Sequence, residues 1–123
     1  MKIRTHKYAE LAYPLVLKIQ GDSVEAKYRT LALTFPSMIM QSGLAQAIGF
    51  LMAKSKKNLE HQVLLEHVAK LLKFVDNQKG DSDALHQAIL KSSVTEYQLL
   101  SREALDASAW LKRYTQALLE KQS

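Results

Sequence analysis

Cysteine is absent from the 123 residues, which excludes a disulfide framework, a thiolate metal site and a thiol nucleophile. Proline occurs twice and glycine four times, too seldom for a succession of hairpins, and no Gly-rich phosphate loop is present. Only nine residues are aromatic, one Trp, five Tyr and three Phe. Six of them, Tyr8, Tyr28, Phe35, Tyr97, Trp110 and Tyr114, fall on apolar stripes that point to a core, unlike the exposed rings on which single-strand binders stack bases. The most hydrophobic stretch is interrupted by Gly and Ser and falls short of the about 20 residues of a membrane span. Nothing at the N-terminus has the pattern of a secretory signal, so the expected location is cytoplasmic.

What is present is Leu, Ala, Lys, Gln and Glu in quantity, a helical composition. A chain of this length fits one domain, 1–123, and buries roughly two thirds of its unfolded surface, enough for a core without covalent staples. Seventeen Lys and Arg against twelve Asp and Glu leave a net charge of +5, a balance that favours polyanionic partners.

The stretch that organises the chain runs from Tyr28 to Lys57. Its second half, Leu44 to Ala53, has little polar besides Gln46, so a helix there is apolar nearly all round and is expected to be buried. Before it, Tyr8, Ala12, Leu15, Val16 and Ile19 recur at helical spacing from a start near Thr5. Pro14 lies on the wet side of that helix, where it bends the helix without ending it. Gly21 stops it. Asp22 and Glu25 have the spacing of a capping box for a second helix, whose inner stripe is Val24, Tyr28, Leu31, Ala32 and Phe35. Pro36 disfavours helical geometry at Phe35, so a break is expected there. Gly43 signals either a break or a close approach, and Gly49 a close approach of another helix.

Past the lysines, Asn58 is the expected N-cap of a helix with the stripe Leu59, Val63, Leu64, Val68, Leu71, Leu72 and Val75. A polar turn follows at Asp76 to Gly80, and Asp81 or Ser82 opens a shorter helix with Leu85, Ala88 and Ile89 inside. Ser93 and Glu96 repeat the capping-box spacing for a short helix carrying Val94, Tyr97 and Leu100. Ser101 is the expected cap of the last helix, with Ala107, Trp110, Leu111, Tyr114 and Leu118 inward and Arg102, Lys112 and Arg113 outward. The predicted fold is all-α, a single compact bundle of about six to seven helices around a buried central helix.

Catalytic chemistry is not encoded in any recognisable set. His61 and His67 are six residues apart, on different helix faces, unlike the i, i+4 pair of a zinc helix, and they read as surface histidines. Glu60 and Glu66 share that separation, and no serine sits in a G-x-S-x-G turn. The expected protein is not an enzyme and uses no cofactor or metal. Basic residues are the remaining candidates: Lys27 with Arg29, Lys54 with Lys56 and Lys57, and Lys112 with Arg113. Each also has a purely structural account. Arg29 is spaced to pair with Glu25, the lysines to favour a helix C-terminus, and Arg113 to stack on Trp110.

The run YRTLALTFPSMIMQSGLAQAIGFLMAKSK resembles a signature of the small α-helical subunit of the type III-B CRISPR effector, the Cmr complex. The signature joins a Tyr-Arg-x-Leu helix and a Pro-x-Met-Ile turn to a Gly-Leu-x-x-x-x-x-Phe-Leu helix ending in lysine. The C-terminal run EYQLLSREALDASAWLKRYTQALLE is similar to the family's second signature, a Glu-Tyr segment followed by Glu-Ala-Leu and Trp-Leu-Lys-Arg. This resemblance implies a non-catalytic subunit, stacked with neighbouring copies of itself and other Cmr subunits beside the guide RNA and target RNA, while another subunit cuts the target. It also implies contact with the RNA backbone through Arg29, Lys54, Lys56, Lys112 and Arg113, to which charge clustering adds Lys57. In guide-directed complexes base pairing reads sequence, which leaves phosphate charge and duplex shape to Lys and Arg. The rival expectation is a helical protein-protein adaptor with no direct nucleic-acid contact, its charge serving solubility.

Overall fold

A computed structural model describes residues 4–76 and 81–119. It contains six helices and, among the described residues, no strand: α1 (Arg4–Leu17), α2 (Glu25–Ser42), α3 (Leu44–Ser55), α4 (Leu59–Asp76), α5 (Ser82–Lys91) and α6 (Val94–Leu118). The polar turn expected at 77–80 and the side chain of Val75 lie outside the described residues.

Helix α1 carries Pro14 on its exposed side and buries Tyr8, Ala12 and Val16. Gly21 ends the turn after it with φ 79°, a left-handed value that costs glycine nothing. The capping box expected of Asp22 and Glu25 does not form: no side chain caps α2, and the two carboxylates bond N–H groups of the turn before it. Asp22 Oδ1 accepts from Val24 N at 3.0 Å, and Glu25 Oε1 accepts from Gly21 N at 3.2 Å.

Helix α2 runs unbroken through Pro36, so the break expected at Phe35 does not occur. An interior proline costs about 3 kcal/mol, but Tyr28, Leu31, Ala32, Phe35 and Ile39 are buried on both sides of it along one face. At roughly 1.5 to 3 kcal/mol for each large side chain enclosed, continuing the helix outweighs the missing hydrogen bond. The break comes at Gly43, whose φ 87° and ψ 158° lie in territory closed to other residues. Its N–H still donates to Ile39 O at 2.8 Å, and its carbonyl already accepts from Ala47 N at 3.0 Å. One glycine thus ends α2 and starts α3.

Helix α3 encloses Leu44, Ala47, Ile48 and Leu51 completely. Its other face is open, with Ala45, Gln46, Phe50 and Ala53 exposed. A methyl group at Gly49 would meet nothing within 4 Å, so the close helix approach expected there is absent. A buried central helix exists, but it is α4, which packs against each of the other five. It buries Leu64, Leu65, Val68, Ala69, Leu71 and Leu72 together with His67, while Leu59 stays exposed. Asn58 precedes α4 as expected, yet its amide donates back to Lys54 O at 3.1 Å.

Asp81 Oδ1 caps α5 through Ala84 N at 2.7 Å. The Ser93 and Glu96 capping box is complete, Glu96 N donating to Ser93 Oγ at 3.1 Å and Ser93 N to Glu96 Oε1 at 2.8 Å. These hydrogen bonds hold the exposed Glu96 carboxyl below its ordinary pKa. The helix so begun is the whole of α6, 25 residues long. Ser101 does not cap a second helix, because Leu100, Ala104 and Ala107 continue one buried stripe across it. Val94 is exposed, and Trp110, Tyr114 and Leu118 are half-buried at the edge of the core.

Hydrogen bonds and ring contacts set the helix directions. Gln20 Nε2 donates to Leu118 O at 2.8 Å, and Ala45 N to Tyr97 Oη at 2.9 Å. Advancing along α2 therefore retreats along α6, and the two are antiparallel. Tyr8 Oη donates to Glu103 Oε1 at 2.8 Å and the Tyr13 ring meets Tyr114 edge-on, so α1 runs parallel to α6.

Candidate nucleic-acid interface

The α3–α4 corner gathers Lys54, Lys56 and Lys57, all exposed. The chain turns there because Lys54 O accepts three donors: Lys57 N at 3.2 Å, Asn58 N at 3.0 Å and Asn58 Nδ2 at 3.1 Å. Lysines at this end of α3 also complement the helix dipole. Among the described residues none of the three forms an ion pair. The Lys54 ammonium lies 6.0 Å from the centroid of the Phe50 ring. The same ring meets His61 edge-on at 5.4 Å. His61 Nδ1 lies 3.2 Å from Glu60 Oε2. Across an open groove, α2 presents Lys27, Thr30 and Thr34 to Asn58, Glu60 and His61.

Arg29 belongs elsewhere. Two helical residues turn through about 200°, so it points to the opposite flank of α2 from Lys27. Its Nε is buried without a hydrogen-bond partner, and the Glu25 carboxylate expected to pair with it reaches back to Gly21. Lys112 is half-buried, and exposed Arg113 lines a shallow depression with Asp106, Ala109 and Trp110. Trp110 stacks on Tyr114, with centroids 5.6 Å apart.

Lys54, Lys56 and Lys57 are exposed together at the α3–α4 corner, and Lys27 lines the neighbouring groove with Asn58 and His61, while Arg29 lies on α2 and Lys112 and Arg113 on α6. Sequence reasoning grouped Lys27 with Arg29 and did not place it beside Asn58 and His61.

His67 is buried, which corrects its reading as a surface histidine. Tyr28 Oη lies 2.7 Å from its Nδ1, and the two rings meet edge-on. Burial, with the Lys70 charge in second place, lowers the His67 pKa to about 4, and burial raises that of Tyr28. Among the described residues no three His, Asp or Glu side chains gather as a metal site would require, and no helix is long and apolar enough to cross a membrane.

Comparison with known proteins supplies the context for this surface. The model of the Cas_Cmr5 family, CRISPR-associated protein, matches residues 4–118. The CRISPR system Cmr subunit Cmr5 of Thermus thermophilus is 32% identical over 120 residues, spanning 98% of this chain and 99% of that protein. The X-ray crystal structure of a CRISPR-associated Cmr5 family protein from Thermus thermophilus superposes with a TM-score of 0.85 at 30% identity, covering 97% of this chain and all of that one.

Proposed function

Because this chain belongs to the Cmr5 family and so to the subunits of the type III-B CRISPR (Cmr) complex, we propose that within the complex it is a non-catalytic subunit that meets the phosphate backbone of guide and target RNA with lysine side chains. The observation that carries this reading is the α3–α4 corner: Lys54, Lys56 and Lys57 exposed together and unpaired among the described residues. Phosphates are the partner such a cluster suits, because each contact releases counterions and needs no shaped pocket. Arg29 on α2 and Lys112 and Arg113 on α6 are further basic residues offered to the RNA backbone. Neighbouring copies and other Cmr subunits are the protein partners, and cleavage of the target belongs to another subunit.

The test is charge reversal in the assembled complex. Lys54→Glu with Lys57→Glu should weaken target RNA binding equally for all sequences. It should also flatten the plot of log affinity against log salt by about 0.7 to 0.9 for each phosphate that the variant no longer neutralises. Wild-type affinity and slope would defeat the reading. A protein-protein adaptor is the second reading, favoured by exposed Leu90, Val94 and Leu99 around the α5–α6 junction. It expects the same reversals to leave RNA binding intact.

A further inference from the structure

Two large aromatic side chains are more than a third exposed among the described residues, Tyr13 and Phe50. Only Phe50 adjoins a cluster of unpaired cations. It stands on the open face of α3, 37% exposed, while the opposite face is packed solid by Leu44, Ala47, Ile48 and Leu51. At 37% exposure the ring keeps part of its surface open to a ligand.

Resting on the reading of the lysine corner as a phosphate site, we propose that Phe50 is a stacking platform for one unpaired RNA nucleobase whose flanking phosphates are held by Lys54, Lys56 and Lys57. The ring is fixed before any ligand arrives: His61 meets it edge-on at 5.4 Å, and the Lys54 ammonium stands 6.0 Å from its centroid. A base that takes this place sets its phosphate within reach of the same ammonium. Beside the ring a groove is lined by Met38, Ser42 and Gln46. Met38 offers an apolar side to the base, and the Gln46 amide and Ser42 hydroxyl offer donors and acceptors to its edge. Every base has a π face, so the site tolerates any sequence. Bases inside a duplex already stack on one another and offer no face, so the ligand is a single-stranded or extruded nucleotide. An apolar protein segment suits the site less well, because seating it would draw water away from three ammonium groups.

The test titrates the full chain with a fluorescein-labelled single-stranded RNA, with the blunt duplex of the same sequence, and with a single strand carrying 2-aminopurine, whose emission falls on stacking. The wild type is expected to prefer the single strand and to quench 2-aminopurine. Phe50→Leu should weaken single-strand binding by about five- to 150-fold, the range for removal of one aromatic–base stack. It should abolish quenching and leave duplex affinity and salt slope unchanged, and Phe50→Tyr should restore both losses. Lys54→Glu with Lys57→Glu should weaken both RNAs. If Phe50→Leu binds and quenches like wild type while the lysine reversals fail to bind, stacking is refuted and phosphate binding stands. If the lysine reversals also bind normally, both readings fall. A wild type without preference for the single strand, or a Phe50→Leu that loses both RNAs alike, overturns the proposal.

Discussion

Burial of the Tyr28–His67 pair ties the stability of this bundle to pH. The folded chain holds His67 neutral, its pKa lowered to about 4, whereas an unfolded histidine titrates near 6.5. Between these values the unfolded state binds the proton and the folded state does not. Stability is therefore complete above about pH 6.5 and falls as pH drops through 4, by roughly 3 kcal/mol in all at 1.36 kcal/mol per pKa unit. Tyr28, whose pKa burial raises, adds an alkaline limb, since the unfolded phenol ionises above about pH 10 and the buried one resists. Urea midpoints measured from pH 4 to 8 should show the acid limb, and His67→Leu should remove it. A wild-type midpoint flat across that range would mean that His67 is open to solvent. The tyrosine that opens the Tyr-Arg-x-Leu signature thus has an internal partner, and of that pair only Arg29 remains available to a ligand.

At the level of elements, the two glycines flanking and inside α3 invite opposite outcomes. Gly43→Ala forces a side chain into φ 87°, ψ 158° and should cost about 1 to 3 kcal/mol. Gly49→Ala places a methyl group in open space within a helix and should stabilise by about 0.4 to 1 kcal/mol. Thermal denaturation of the two variants separates the cases, and a stabilising Gly43→Ala would show that the α2–α3 joint relaxes freely. Helix starts were legible in the sequence wherever a side chain makes its hydrogen bond locally, as Asp81 and the Ser93–Glu96 box do. Interruptions were not. Whether Pro36 breaks α2 or Ser101 divides α6 depends on residues buried on either side, a tertiary sum that no local spacing reveals. The lysine corner could be read because charge needs no packing partner. The outward Phe50 could not, because α3 is apolar on both faces and only its neighbours decide which one they cover.

For the molecule as a whole, the helices pack most heavily where α1 and α2 lie against α6, followed by α3 against α4. Leu51, fully enclosed, should cost about 2 to 5 kcal/mol on truncation to Ala, a large share of the about 5 to 15 kcal/mol that holds a domain together. Trp110→Ala should cost less than the 3 to 5 kcal/mol typical of an enclosed tryptophan, because the indole is half-buried. Chemical denaturation giving the reverse order would mean that the indole is more enclosed than Leu51. One consequence of the helix order reaches beyond the finished fold. Of the six helices α6 leaves the ribosome last, yet α1, α2 and α4 all pack against it, and Tyr8 and Gln20 find their partners 95 and 98 residues further on. Until those residues emerge, the faces that α1, α2 and α4 turn toward α6 stay uncovered. Contacts of such long sequence separation close late and slowly, which lengthens the time the nascent chain exposes apolar surface.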